Sequence, residues 1–375
     1  MIIILFLTAL SCNFSFDKDS SEKSEIGNWK NCLRYADNSW NKTIGPAYIE
    51  KAFLAARAAD PAAKLFYNDY NLNNEYKAKA VYKMVMDINN RYPNIGGRKL
   101  IDGIGMQSHH HLKTDPLTVK ASIQLFSSLG VDIAVSEMDI MAVGDFGYPP
   151  ETFAWNITTA QLQAEQYAAM FDIFREYSSN ISRVTFWGLD DGTSWRGGNR
   201  TDGPNAYPAL LNSDYSLKLA FDAVAGIEAG ESAAWNTVQS LYEIYEDDFL
   251  MGNVISSDDP GTIRFNILKR HYNIVTAENE MKPDHVAPLS NGGAYRWAQA
   301  DTIVNAALTA GLLVHGHTLV WHQQTPSWLN SNPATALSNL EKYVSDVTTH
   351  FREKVISWDV VNEAIRDGLT ANDVK

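Results

Sequence analysis

Only two cysteines, Cys12 and Cys32, occur in the 375 residues, which excludes a scaffold built on disulfides. Cations are scarce as well: 31 Lys and Arg stand against 44 Asp and Glu, a net charge of −13. Binding a phosphate backbone needs clustered Lys and Arg, so nucleic acid is excluded as a partner. The balance suits a neutral ligand and good solubility. Long apolar runs are missing too. The longest, from Ile2 to Leu10, is too short to cross a bilayer. No segment repeats, and no low-complexity stretch separates two folded blocks. What remains is a chain with 45% hydrophobic residues, ten Trp and seventeen Tyr. That is enough for a large core, with aromatic rings left over as flat apolar surfaces on which other rings can stack.

The apolar run at the N-terminus reads as the core of a signal peptide over residues 1–12, although no Lys or Arg precedes it. Ala9-Leu10-Ser11-Cys12 loosely resembles the box cut in bacterial lipoproteins, with Ala9 where Leu is usual. Cys12 is therefore the one candidate lipid site and the one expected membrane contact. Only Cys32 then remains in the mature domain, and no internal disulfide is expected. Residues 13–26 are polar and charged and read as a disordered tether. The mature protein is expected to be secreted or held at the cell surface, and monomeric.

Beyond residue 26, short apolar, β-branched runs alternate with amphipathic helices. Strands are expected at Lys64–Asn71, Ile101–His109, Val131–Ile140, Val184–Asp191, Phe249–Ile255, Asn273–Glu280, Leu312–Trp321 and Val355–Glu363. Helices are expected at Tyr48–Arg57, Gln161–Tyr177 and Ile303–Leu312. Eight strands alternating with helices predict parallel β/α units closed into a (β/α)8 TIM barrel.

Two of these strands end on carboxylates. Ser136-Glu137-Met138-Asp139-Ile140 lies in the first half, and Trp358-Asp359-Val360-Val361-Asn362-Glu363-Ala364 near the C-terminus. In a barrel, such glutamates project into the cleft at the C-terminal face, and a carboxyl pair is the minimum equipment for glycoside hydrolysis. These motifs resemble family 10 glycoside hydrolases, the endo-β-1,4-xylanases. The resemblance implies that Glu363 is the general acid/base, Glu137 the nucleophile, and that configuration is retained, which requires carboxyls about 5–5.5 Å apart.

Further motifs carry the same resemblance. Gly105-Met106-Gln107-Ser108-His109 places Gln107 in the site and His109 against the nucleophile, with Asp139 and Asn362 in support. Asn362 matches the group that bonds the sugar 2-hydroxyl. Substrate contacts are implied for Glu278, Asn279 and Lys282 of Glu278-Asn279-Glu280-Met281-Lys282. They are also implied for His317, Trp321, His322 and Gln324 of His317-Thr318-Leu319-Val320-Trp321-His322-Gln323-Gln324. Asn68 and Tyr70 come from Tyr67-Asn68-Asp69-Tyr70-Asn71, and Trp187 and Trp195 from the run Trp187 to Arg196. The run His109-His110-His111 is not read as a metal site, because strand neighbours face opposite ways; no metal and no cofactor is expected. The implied substrates are xylan and xylo-oligosaccharides, with internal β-1,4 bonds cleaved by double displacement. The alternatives are a xylan-binding barrel without turnover and a retaining β-1,4-glucanase or cellobiosidase on the same fold.

The order of the motifs departs from the family. There the Trp-Asp-Val-Val-Asn-Glu-Ala motif comes first; here it comes last. The chain therefore reads as circularly permuted, a single domain over 27–375. Residues 27–227 match the family's C-terminal half and 234–375 its N-terminal half, joined by a linker at 228–233. The other reading is the back half of one barrel followed by the front half of another. Such half-barrels would present open sheet edges.

Overall fold

The computed structural model describes residues 28–145, 152–197 and 205–374. The expected signal peptide and tether lie outside the described residues. Eight parallel strands form the centre: β1 (Lys64–Asp69), β2 (Gly103–Met106), β3 (Asp132–Met141), β4 (Ile181–Phe186), β5 (Leu250–Ile255), β6 (Ile274–Ala277), β7 (Leu313–Val320) and β8 (Ser357–Asn362). Each pairs with the next in chain order, and β8 pairs with β1 from Lys64–Ser357 to Asn68–Asn362. The barrel is closed, and β1 and β8 leave no open edge of the kind expected of half-barrels.

One main helix fills each gap: α1 (Ala47–Ala59), α2 (Glu75–Arg91), α3 (Pro116–Ser127), α4 (Ile157–Glu176), α5 (Leu219–Ala225), α6 (Ile263–His271), α7 (Ala298–Thr309) and α8 (Ala336–His350). Local chemistry sets their starts. Asn74, Asp115, Asn156 and Thr262 each accept first-turn N–H groups at the heads of α2, α3, α4 and α6, satisfying donors the helix cannot. Helix α1 buries Tyr48, Ile49, Ala52, Phe53 and Ala56, the stripe its spacing predicts, and ends at Asp60. It precedes β1 yet packs on β8 and α8, filling the gap between the last strand and the first. Helix α5 stops at Gly226, whose φ of 66° suits glycine. An irregular stretch containing the expected linker then leads to the capping box at Ser240 and Glu243.

Three strands depart from expectation, of which Asn273–Glu280 stops early, at Ala277. Val184–Asp191 is placed three residues too late: the strand is Ile181–Phe186, and the turn at Gly188 (φ 155°) ends it. The expected run Ile101–His109 breaks at Ser108, whose φ is +59°. A separate short strand, His109–His111, then pairs with Asp139–Met141.

Inside the barrel, Phe66 fills the space beside Gly103, where an added Cβ would lie 2.2 Å from the ring. Gly103→Ala is therefore expected to destabilise the fold by about 1–3 kcal/mol through overpacking, read as a lower urea midpoint at unchanged slope.

Candidate active site

The C-terminal ends of the strands surround a cleft of about 980 Å³. Gln107, His109, Glu137, Trp187, Trp195, Glu278, Asn279, Lys282, His317, Trp321, Gln324, Asn362, Glu363 and Tyr70 line it, as the motifs imply. Asn71, Arg196 and Gln323 line it as well. All three stand inside the quoted motifs, but nothing in their spacing assigned them a role.

Glu137 projects from β3 and is 5% exposed. Burial opposes its charge, yet the hydrogen bond from His109 and the nearby His317 outweigh it and hold the carboxyl below its ordinary 4.5. Its Oε2 lies 3.2 Å from His109 Nε2, and its Oε1 accepts from Asn68 Nδ2 at 2.7 Å. The other His109 nitrogen lies 3.0 Å from Asp139, which also accepts from Trp195 Nε1 at 2.8 Å and faces Arg196 Nε at 3.1 Å. Burial alone would depress His109, but Asp139 and Glu137 push it up to about 9. As a protonated ring it donates to both carboxylates. That raised value means its stabilisation is complete below the ordinary 6.5 and is lost as pH rises through about 9.

Glu363 follows the last residue of β8. Trp321 Nε1 donates to its Oε2 at 2.9 Å, and Gln107 Nε2 to its Oε1 at 2.9 Å. The two glutamates belong to one network: Asn68 Nδ2 also reaches Asn362 Oδ1 at 3.0 Å, and Asn362 Nδ2 reaches Glu363 Oε1 at 3.3 Å. Ser136 donates to Asn68 Oδ1 at 2.6 Å, which fixes the amide with its nitrogen toward Glu137. Asn68 and Asp139 thus act from behind the cleft wall and do not line it.

Beneath the glutamates a polar chain runs through the barrel. His317 Nδ1 is 2.9 Å from Asp359 Oδ2, which lies 3.1 Å from His315 Nε2, which Arg183 Nη2 approaches at 2.9 Å. Despite burial, the two histidines hold Asp359 well below the usual carboxylate range. Glu137, His317 and Asp359 are a group of three metal-type donors with ligand atoms within 4.8 Å of one another. His317 hydrogen-bonds Asp359 and lies 4.0 Å from Glu137, so the cluster reads as an internal network. The sequence offers one signal for it: Ser357 and Asp359 alternate with the apolar Trp358 and Val360 along β8.

Lys282 donates to Asn279 Oδ1 at 3.0 Å and sits 5.3 Å from the Trp321 ring centroid. Trp187 meets His317 edge-on at 5.1 Å. Lys77 Nζ covers one face of Tyr70, 3.6 Å from the ring centroid. His322 does not join the site. Trp321 lines the cleft, whereas the buried His322 ring lies beside it, 3.7 Å from Asp37, and burial lowers it to about 4. Among the three consecutive histidines, His110 is buried on the face opposite His109, and burial lowers it to about 3.

His109→Ala removes the donor that keeps Glu137 ionised and leaves burial unopposed by it. The Glu137 carboxyl is therefore expected to take up its proton at higher pH in the variant than in the native protein, which a 13C NMR titration of the glutamate carboxyls checks.

The sequence profile of Glycosyl hydrolase family 10 matches residues 21–227 and 240–374. The "Endo-1,4-beta-xylanase A" of Thermotoga neapolitana is 36% identical over 238 residues, spanning 61% of this chain but 21% of that protein. The "Exoglucanase XynX" of Acetivibrio thermocellus is 36% identical over 224 residues, spanning 59% of this chain and 18% of its own. The solved intracellular xylanase of Thermoanaerobacterium saccharolyticum is 36% identical, covering 53% of this chain and 55% of that one, at a TM-score of 0.43. The chain thus spans about a fifth of the length of the first two relatives. With the matched profile spread over both halves of the closed barrel, the chain belongs to glycosyl hydrolase family 10.

Proposed function

We propose that this chain is a retaining endo-1,4-β-xylanase. The observation that carries the reading is the pair of buried glutamates on one cleft, joined through Asn68, Asn362 and Gln107 and given different surroundings. Glu137, flanked by histidines, is kept ionised for attack on the anomeric carbon. Glu363, beside the Trp321 indole, passes its proton to the glycosidic oxygen as the C–O bond breaks. In the second step water gives a proton to Glu363 and its hydroxyl to the anomeric carbon, which frees Glu137. Asn362 supports the transition state through the sugar 2-hydroxyl. Trp187 and Trp195 wall the reacting sugar, and Glu278, Asn279 and Lys282 hold those on its non-reducing side.

The test is proton NMR of xylopentaose hydrolysis: the β-anomer forms first and mutarotates later. Initial α-anomer, or no cleavage, would sink the reading. The exoglucanase among the relatives makes glucan the second reading, and equal or faster turnover of barley β-glucan than of xylan would favour it.

The same proposal includes the permuted order. Supporting it, α1 fills the gap between β8 and β1 from the N-terminal side, and Leu33 pairs antiparallel with Ile365. A chain rebuilt to start at residue 234, with 375 joined to 28 and the 228–233 linker opened, should fold to the same barrel and keep its activity. Loss of the folded barrel or of activity would count against it. The N-terminal part of the proposal is secretion after cleavage near Cys12, with or without a lipid, as a monomer. The intact mass of the mature protein and its elution volume test these points together.

A further inference from the structure

Glu363 has a φ of +57°, a conformation that side chains other than glycine seldom take. Its geometry must therefore be held by its neighbours. Three groups share that work. The Glu363 N–H donates to Asn68 O at 2.9 Å. Tyr67 Oη accepts from Ala364 N at 3.0 Å and Ile365 N at 3.1 Å, and gives its own proton to Asp69 at 2.5 Å. The third group is Arg34, which is 329 positions distant in sequence and whose Nε donates to the Glu363 carbonyl at 3.1 Å.

Arg34 does more than cap one carbonyl. Its backbone N–H donates to Ala364 O at 2.9 Å, and Arg366 N returns a bond to Cys32 O at 2.9 Å, so the segment before Arg34 forms a short antiparallel strap over the segment after Glu363. The guanidinium then spreads. Nη1 faces Asp37 at 3.2 Å, and Nη2 faces Asp367 at 3.2 Å and hydrogen-bonds the Tyr70 hydroxyl. Tyr70 lines the cleft beside Glu363. The side chain is 13% exposed, so these contacts are largely shielded from water. One planar fork thus registers the peptide of Glu363 against a wall of the site, a geometry that the single point charge of lysine does not reproduce.

We infer that Arg34 is a positioning residue for Glu363, one that fixes where the carboxyl meets the leaving oxygen without touching substrate. This rests on the acid/base reading of Glu363 given above. A displacement of about 1 Å at such a group costs about 100-fold in rate. The loss is confined to steps that need its proton.

The test compares wild type, Arg34→Ala, Arg34→Lys and Glu363→Ala on glucuronoxylan and on 2,4-dinitrophenyl β-xylobioside. The dinitrophenolate leaves without a proton, so kcat/KM on that glycoside reports correctly folded enzyme with a working nucleophile. The ratio of kcat/KM on xylan to that on the aryl glycoside is independent of how much of a variant folds. We expect this ratio to fall about 10–100-fold in Arg34→Ala and nearly as far in Arg34→Lys, with KM for xylan within about threefold. A ratio that falls in Glu363→Ala but holds in Arg34→Ala overturns the role of Arg34 alone. A ratio that holds in Glu363→Ala overturns the acid/base reading itself, and the role of Arg34 with it.

Discussion

Replacing Glu137 with alanine is expected to lower kcat on glucuronoxylan by at least about 10⁴-fold, the scale on which loss of a nucleophile is felt. Its neighbouring carboxylates are engaged elsewhere. Asp139 lies behind His109, held between that ring, the Trp195 indole and Arg196, and Asp359 is sunk beneath His317. Glu363 is held by hydrogen bonds from Trp321 and Gln107. The substitution leaves His109 paired with Asp139 alone, so its raised pKa falls back, but no buried charge is orphaned. The far-UV spectrum and the urea midpoint should therefore change little. Initial rates of reducing-end release measure the effect, and a loss smaller than about tenfold would contradict the assignment.

Glu363→Ala should behave differently. Removing a general acid costs about 10²–10⁴-fold where the leaving group needs a proton. Hydrolysis of xylan should fall by that amount. The first step on a dinitrophenyl glycoside should proceed nearly unchanged, and the glycosyl-enzyme should then accumulate, because no base activates water. Azide, which needs no deprotonation, attacks the same anomeric carbon. It should restore turnover and give the β-glycosyl azide. Equal losses on both substrates, with no rescue by azide, would mean that Glu363 holds the cleft in shape and moves no proton.

Much of this was legible in the sequence, for physical reasons that also mark where legibility ends. The barrel strands announced themselves as largely apolar runs of seven to ten residues between amphipathic helices, because the strand face that packs against the helices needs apolar side chains. Boundaries were weaker where a single residue bends the backbone. Ser108 and Gly188 end strands through their φ angles, and neither residue type forces that choice. The carboxylates and most of the cleft wall were readable because each lies in a contiguous motif at a strand end. Asn68 was placed in the site, yet its position behind Glu137 came only with the fold. His322 lies buried beside Asp37 and not among the cleft-lining residues, because a motif lists residues in order and says nothing about which side of the chain each faces. Contacts across the barrel were beyond reach. Arg183 with His315 and Arg34 with Glu363 join residues 132 and 329 positions apart, and no local spacing predicts them.

The central claim is that Glu137 forms a covalent bond to the sugar. The most direct measurement is mass spectrometry of the protein incubated with 2,4-dinitrophenyl 2-deoxy-2-fluoro-β-xylobioside. The fluorine slows both chemical steps and the activated leaving group restores the first, so the ester intermediate persists. The account predicts one disaccharide per chain, carried after peptic digestion by the peptide that contains Glu137. A label on Glu363, or an unlabelled protein that releases product with inverted configuration, would contradict it.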